Sequence, residues 1–293
     1  MGFSKIAERK LTAVPTDLWV TESKVYVSVK KNHLVVTAHD MSKARHVRLK
    51  ENARAIAGCE DDLFIFSEKG SVSSLSVAME NAREEAKNGK MAVNTAVYDK
   101  RTKSIIAGTN KGKVLVMKEG LEISKRMYES QSGVVCVSVS SMGRIACAYE
   151  VDSTVRVFDM KSSDVRNIRI SNGFPQAVCF EGQYLAIGSD QGVVYLVDEA
   201  DLNIVGSLSI PCAVASLFFK DGRLLVGTEG FLYLLSVKQG SMEIVDSYCC
   251  NGVVSMISSS NDCIVIIIGK ERRLGRWIIN KDWENKVEVL KVN

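Results

Sequence analysis

A unit of about forty residues recurs along the chain, and it constrains the fold more than any other feature of the sequence. Each unit has an apolar run, a short polar turn, a second apolar run that ends near Gly, a polar loop and a third run, as residues 176–199 show. The units start at Thr16, Arg54, Thr95, Val135, Gln176, Ala215 and Val254. Their spacings are 38, 41, 40, 41, 39 and 39 residues, so seven units fill the 293 residues.

Short runs of alternating apolar and polar residues predict β-strands, and a period near forty is typical of the blades of a propeller. One blade cannot bury both of its faces, whereas seven blades packed in a ring bury them all. We therefore predict an all-β fold, a seven-bladed WD40-type β-propeller, as a single domain over residues 1–293. Asp159 and Asp198 stand where the repeat's Trp-Asp dipeptide has its Asp, with Phe158 and Val197 in place of the Trp.

A closed ring requires the two ends of the chain to meet in one blade. Residues 5–14 and 287–292 are both candidates for the outer strand of blade seven, and the sequence does not choose between them. Residues 78–90 have the most helix-like composition in the chain. They predict a helical or irregular insertion in blade two.

Composition narrows the class of protein. Hydrophobic residues make up 46% of the chain, which suits a large core, and no run reaches the roughly 18 apolar residues of a membrane helix. The eight cysteines lie mostly in apolar runs without a CxxC pair, and the chain has no Asn-x-Ser/Thr sequon, so we expect free thiols in an intracellular protein. We expect neither a metal nor another cofactor, because the three histidines, His33, His39 and His46, lie together in the first unit as solvated side chains.

Charge is unevenly distributed among the loops that join the second and third strands, which emerge on one face of a propeller. The loops of blades one, three and seven are basic, and those of blades four to six are acidic. The basic loops contain Lys30, Lys31, Lys111, Lys113, Lys270, Arg272 and Arg273. Because blade seven adjoins blade one in a closed ring, these residues predict a basic sector suited to a phosphate backbone. The alternative is that they are ordinary solvated loop residues.

The segment 274–278 aligns with residues 155–159 and is therefore predicted as the third strand of blade seven. Trp277 then falls at the tryptophan position of the repeat and packs in the blade. Arg276 takes the place of Val157. It is either buried against a carboxylate or placed to contact RNA, and the sequence leaves both roles open.

The stretch KERRLGRW at 270–277 resembles a hallmark of the WD-repeat proteins specific to the U3 small nucleolar ribonucleoprotein, which typically reads Lys-Glu-His-Arg-Leu-Gly-Arg-Trp. Seven of the eight positions match, with Arg272 in place of His. The resemblance implies a non-catalytic protein that binds the box B/C region of U3 small nucleolar RNA during pre-rRNA processing and small ribosomal subunit biogenesis. It also implies that Lys270, Arg272, Arg273 and Arg276 contact RNA or a partner.

The same resemblance implies the partners and the location. The partners would be a small kink-turn-binding box C/D protein and other small-subunit processome proteins, and the location would be the nucleolus, within the nucleus. The family usually has a long charged N-terminal extension before the first blade, which here starts near Thr16, and Ile278 replaces a second tryptophan. The second hypothesis is a WD-repeat scaffold that binds only proteins. A propeller enzyme ranks third, because no nucleophile, base and acid converge in the pattern.

Overall fold

The structure, a computed structural model, describes residues 2–59, 61–77, 82–83, 92–119, 121–162, 164–260, 262–271, 280 and 282–292. These residues form 26 strands and no helix. Accordingly, they include no helix that is long and apolar enough to cross a membrane.

The strands have the following bounds. The first thirteen are β1 (Phe3–Lys10), β2 (Pro15–Val20), β3 (Lys24–Val29), β4 (His33–Ala38), β5 (Ala44–Arg48), β6 (Ala53–Gly58), β7 (Asp62–Ser67), β8 (Val72–Ser76), β9 (Ala82–Arg83), β10 (Val93–Asp99), β11 (Ser104–Thr109), β12 (Lys113–Lys118) and β13 (Ile123–Glu129). The others are β14 (Val134–Val139), β15 (Arg144–Tyr149), β16 (Thr154–Asp159), β17 (Val165–Arg169), β18 (Pro175–Glu181), β19 (Tyr184–Ser189), β20 (Val193–Asp198), β21 (Ile204–Ser209), β22 (Val214–Lys220), β23 (Arg223–Lys238), β24 (Ser241–Ser260), β25 (Cys263–Gly269) and β26 (Lys286–Val292).

The described strands form six sheets, and five of them are simple antiparallel meanders of four consecutive strands. These five are β2–β5, β6–β9, β10–β13, β14–β17 and β18–β21. They correspond to the units predicted to start at Thr16, Arg54, Thr95, Val135 and Gln176. The sixth sheet has six strands in the order β1-β26-β25-β24-β23-β22.

The prediction of seven separate blades is therefore wrong, because the described strands form six sheets. The units predicted at Ala215 and Val254 share the sixth sheet, since two long strands run through both of them. The 16-residue β23 pairs with β22 and then with β24, and the 20-residue β24 pairs with β23 and then with β25. Left-handed glycines at Gly230 (φ 84°) and Gly252 (φ 147°) lie near these changes of partner.

The six sheets nevertheless close into a ring, so the all-β propeller architecture is confirmed. Their inner strands contact one another in the order β2, β6, β10, β14, β18, β22 and β24, and β24 contacts β2 again. Apolar clusters fill the spaces between neighbouring sheets. One of them joins the first sheet to the last through Val27, Val35, Ile267 and Val289. The inner strands surround a central channel of about 610 Å³.

Residues near both ends of the chain take part in the closure. Their pairing decides whether residues 5–14 or residues 287–292 form the outer strand, which the sequence left open. β26 pairs with β25, and β1 pairs with β26 from Phe3↔Val292 to Lys10↔Lys286. β1 is therefore the outermost strand, and β26 is the strand inside it. β26 occupies the position beside β25. Residues 274–278, predicted as the third strand of this blade, lie outside the described residues.

The insertion predicted at residues 78–90 is described at only two residues. Ala82 and Arg83 form the short strand β9, which pairs with Leu75 and Ser74 of β8. Where a helical or irregular insertion was predicted, these two residues form a strand. The rest of the segment lies outside the described residues.

Side chains on the inner strands tie neighbouring sheets together. The buried Asp17 carboxylate accepts hydrogen bonds from its neighbour Leu18 N–H and, across the sheet boundary, from Ile56 N–H, both at 2.8 Å. Asn94 Nδ2 donates to the carbonyl of Val134 at 2.9 Å. Such bonds fix the angle between sheets because each joins the inner strand of one sheet to that of the next.

We expect Asp17→Ala to lower the free energy of unfolding by about 2–3 kcal/mol, because it leaves a buried N–H without its charged acceptor. Ser216→Ala is the matched control. The Ser216 hydroxyl donates to Val254 O at 2.7 Å, and this neutral bond should contribute about 1 kcal/mol. Urea denaturation of both variants measures the difference, and an equal small loss in both would contradict the special role of Asp17.

Candidate nucleic-acid interface

The turns between second and third strands lie beside the connections that lead into the first strands. In four of the sheets, the backbone N–H of the residue after the second strand donates a hydrogen bond to the carbonyl of the residue before the first strand. This occurs from Lys30 to Val14, from Asn110 to Ala92, from Glu150 to Gly133 and from Asp190 to Phe174, at 2.8–3.0 Å. We call the face formed by these turns and connections the turn face. It is the face on which the sequence placed its candidate residues.

Residues 270–285 connect β25 to β26, and hydrogen bonds at Lys270 hold the beginning and the end of this connection together. The Lys270 N–H donates to Asn285 Oδ1 at 3.0 Å, and Asn280 N–H donates to the Lys270 carbonyl at 3.3 Å. We call this connection the 270–285 connection. Three of its predicted site residues, Arg272, Arg273 and Arg276, lie outside the described residues, as does Trp277.

An ion pair joins this connection to the first sheet. Lys30 Nζ lies 2.7 Å from Glu271 Oε1, and the Glu271 side chain is 9% exposed against 44% for Lys30. The predicted proximity of residues 269–273 to the first sheet is therefore present at Glu271. Lys30 is not a free cation of the basic sector, however, because Glu271 neutralises it. Sequence reasoning counted Glu271 only as one anion among cations, and nothing in the local pattern indicated that it turns inward.

Lys31 is the exposed cation of the turn between β3 and β4. It has a left-handed backbone (φ 74°), as does Asn32 (φ 60°). The ring Nδ1 of His33 lies 2.5 Å from the Lys31 carbonyl. This tight turn holds the backbone of Lys31 next to the Lys30–Glu271 ion pair.

Lys111 and Lys113 lie two sheets further along the ring. Lys111 is exposed, and Lys113 is half-buried with its N–H bonded to Thr109 Oγ1 at 2.9 Å. Between them and Lys30 lies the turn after β7, where Glu68 accepts a hydrogen bond from Asn52 at 3.3 Å. The structure therefore brings Lys30, Lys31 and Lys270 together but separates Lys111 and Lys113 from them.

The acidic residues of the opposite sector have local structural roles. Asp152 pairs with Arg156 at 2.9 Å, and the Arg156 guanidinium lies 4.7 Å from the centre of the Tyr149 ring. Asp190 accepts the Phe174 N–H at 2.8 Å. Glu150 is exposed. The turn face is thus electrostatically divided, but part of the charge on both sides is already paired.

The central channel is a second candidate site, and it is lined mainly by inner-strand residues that include Cys136 and Cys179. All eight cysteines are free thiols. Burial raises the pKa of Cys179 to about 12, and it does the same for Cys250, so both thiols are protonated at neutral pH. Among the described residues, no cluster of three or more His, Cys, Asp or Glu side chains is arranged to bind a metal ion.

We expect reversal of one charge of the Lys30–Glu271 pair to destabilise the protein and reversal of both to restore it. Lys30→Glu should cost about 1 kcal/mol, a modest figure because Lys30 is partly solvated. The double variant Lys30→Glu/Glu271→Lys should recover most of that loss. A double-mutant cycle from denaturation curves isolates the pairwise energy. Additive losses in the double variant would show that the pair contributes nothing.

No protein-family model matches the chain, and no curated protein matches its sequence. Its fold is similar to that of solved structures. The structure of U3-55K has a TM-score of 0.89 at 15% identity, covering 99% of this chain and 98% of that one. The crystal structure of the RRP9 WD40 repeats also has a TM-score of 0.89 at 15% identity, covering 100% and 98%. A chain of the mitotic checkpoint complex has a TM-score of 0.84 at 12% identity, covering 99% and 92%. Likenesses at these identities establish the WD40 propeller fold and nothing finer.

Proposed function

We propose that this protein is a non-catalytic, RNA-binding component of the U3 small nucleolar ribonucleoprotein. It recognises the box B/C region of U3 small nucleolar RNA and serves pre-rRNA processing and small ribosomal subunit biogenesis. The observation that carries the proposal is the KERRLGRW stretch, which begins the 270–285 connection of a WD40 propeller. The fold shared with U3-55K and with the RRP9 WD40 repeats supports it.

The ion pair of Glu271 favours an anionic ligand at this connection. The stretch 270–276 contains one acid and four cations. Because that acid turns inward and neutralises Lys30 of the neighbouring sheet, it does not offset the cations of its own stretch. The sequence of this stretch therefore carries an excess of positive charge, which suits phosphates, to which arginine binds in a bidentate manner.

The fixed base of the connection reduces the cost of binding. Lys270 is bonded to Asn285 on one side and to Asn280 on the other. A segment whose two ends are already held together loses less conformational entropy when its side chains engage a ligand. The neighbouring Lys31 adds an exposed cation at the same edge of the turn face.

The proposal includes the partners and the location expected for such a particle. The partners are a small kink-turn-binding box C/D protein that occupies the adjacent RNA and other small-subunit processome proteins. The location is the nucleolus. Recovery of the tagged protein from cells, followed by sequencing of the bound RNA, would test these points together.

The direct test is a binding assay with a U3 RNA fragment that contains box B/C and a matched RNA in which box B/C is scrambled. We expect tighter binding to the first fragment and a linear decline of the logarithm of affinity with that of salt concentration. Equal affinity for both RNAs would indicate electrostatic binding without recognition. Absence of binding would contradict the proposal.

A WD-repeat scaffold that binds only proteins is the second candidate. It is favoured by the exposed apolar side chains of the outermost strand β21, where Ile204 is 42% and Val205 44% exposed. Exposed apolar side chains on an outermost strand suit contacts with another protein. Failure of RNA binding in the assay above would leave this candidate in front.

A further inference from the structure

The outermost strand of the first sheet, β5, has an open backbone edge. Among the described strands it pairs only with β4, with Leu34 opposite Val47 and Val35 opposite His46. The Leu49 N–H donates to the Asn32 carbonyl at 2.7 Å, on the side of β4. Because backbone groups alternate sides along a strand, those of Val47 also point towards β4. Those of His46 and Arg48 point outwards.

The side chains at this edge carry charge of one sign. Residues 41–50, MSKARHVRLK, contain no acid. The exposed basic and histidine side chains are Lys43, Arg45, His46, Arg48 and Lys50. Within the described part of the chain, Lys43 and Arg48 have no ion-pair partner. The acid that precedes the strand, Asp40, is engaged with the backbone and hydroxyl of Ser42.

The cations are divided between the two faces of the sheet. Val47 packs into the apolar cluster between the first and second sheets, whereas Ala44 packs into the cluster between the first and last sheets. Arg45 therefore shares the face of Val47, and His46 and Arg48 share the face of Ala44. A strand added in the plane of the sheet would have cations beside it on both faces.

Two other outer strands, β1 and β17, show the ordinary protection of sheet edges by mixed or balanced charge. β1 has an ion pair between Lys5 and Glu8 at 2.8 Å. β17 repeats the spacing of β5 with Arg166 and Arg169, but Asp164 precedes it and lines the same small pocket as Arg166. The uniform positive charge of β5 repels basic strands and favours acidic ones, so it selects a partner as well as preventing aggregation.

We propose that β5 accepts an extended acidic segment of a partner protein as a fifth strand of the first sheet. Strand addition supplies affinity through backbone hydrogen bonds and specificity through alternating side chains. Two features favour a peptide over a nucleic acid. The outward backbone groups of His46 and Arg48 have the spacing of a β-ladder, and the cations lie on both faces of an edge instead of forming one stripe. The proposal does not depend on RNA binding at the turn face.

The test uses an eight-residue peptide of alternating glutamate and threonine, with fluorescence anisotropy for affinity and amide hydrogen exchange for geometry. We expect binding to slow exchange at the amides of His46 and Arg48. Arg45→Glu/Arg48→Glu should weaken binding by about tenfold or more. The matched control is Arg166→Glu/Arg169→Glu on β17, which makes the same charge change at the same spacing and should leave the affinity nearly unchanged. Arg48→Gln serves as a milder variant, and melting curves verify folding of each one.

Three results would overturn the proposal. Equal losses in the β5 and β17 variants would mean that net charge alone attracts the peptide. Undiminished binding of a peptide that is N-methylated at alternate residues would exclude a backbone ladder. Protection of His46 and Arg48 by an eight-nucleotide oligouridylate, without protection by the peptide, would assign the edge to nucleic acid.

Discussion

Replacing Arg272 and Arg273 with glutamate is expected to weaken binding of U3 RNA. The loss of affinity at 0.1 M salt should be about 25- to 60-fold greater than the loss extrapolated to 1 M salt. Each lost phosphate contact lowers the slope of log affinity against log salt by about 0.7 to 0.9, so two contacts lower it by about 1.4 to 1.8. The free energy of unfolding should change little, because exposed substitutions usually cost under about 0.5 kcal/mol.

The measurement is the affinity of this double variant for the box B/C fragment across a salt series. A melting curve at the lowest and at the highest salt concentration verifies that the variant is folded. Lys161→Glu/Arg166→Glu is a suitable control because it makes the same charge change at exposed residues of the β16–β17 region, away from the turn face. Its RNA affinity should fall much less. An unchanged affinity and slope in a folded Arg272/Arg273 variant would contradict the RNA interface and favour the protein scaffold.

Deletion of residues 2–10 is expected to lower the free energy of unfolding by about 3–6 kcal/mol, which corresponds to a fall in melting temperature of roughly 10 °C. The deletion removes the entire β1–β26 ladder. It also removes the Phe3 N–H bond to Asp246 at 3.1 Å and the Lys10–Glu284 ion pair at 2.6 Å. β26 would then become an open edge and promote association between molecules.

Thermal melting and light scattering measure this outcome. Ile6→Ser is the control, because Ile6 is 52% exposed and its loss should change neither quantity appreciably. Addition of a synthetic peptide of residues 2–11 should restore part of the lost stability. A deleted protein that melts at the original temperature and stays monomeric would show that β1 does not hold the ring closed.

The repeat predicted the propeller because strand alternation and turn residues are local properties of the sequence. Sheet membership is not local. The period placed units at Ala215 and Val254 correctly as strand-forming segments, yet it could not show that β23 and β24 hydrogen-bond them into one sheet. The alignment also chose residues 274–278 as a third strand, since that run and residues 286–292 are both apolar enough. The pairing of β25 with β26 places residues 286–292 beside β25, whereas residues 274–278 lie outside the described residues.

The candidate site was predictable in its charge but not in its contacts. Counting cations located Lys30, Lys31 and the 270–285 connection on neighbouring sheets. It could not show that Glu271 pairs with Lys30, because an ion pair between residues 241 positions apart depends on how the ring closes. Arg272, Arg273 and Arg276 remain predictions, since they lie outside the described residues.

The sheet that joins residues 3–10 to residues 286–292 also determines when the protein can finish folding. A ribosome that adds 5–20 residues per second makes these two strands about 15 to 60 s apart. Throughout that interval the nascent chain holds its completed sheets as an open arc, with the β1 segment already made and without its partner. Ring closure has to wait for the last strand, so it follows the folding of the earlier sheets. Substitutions in β26 should therefore reduce the yield of newly made protein more than they shorten the lifetime of protein that has already closed.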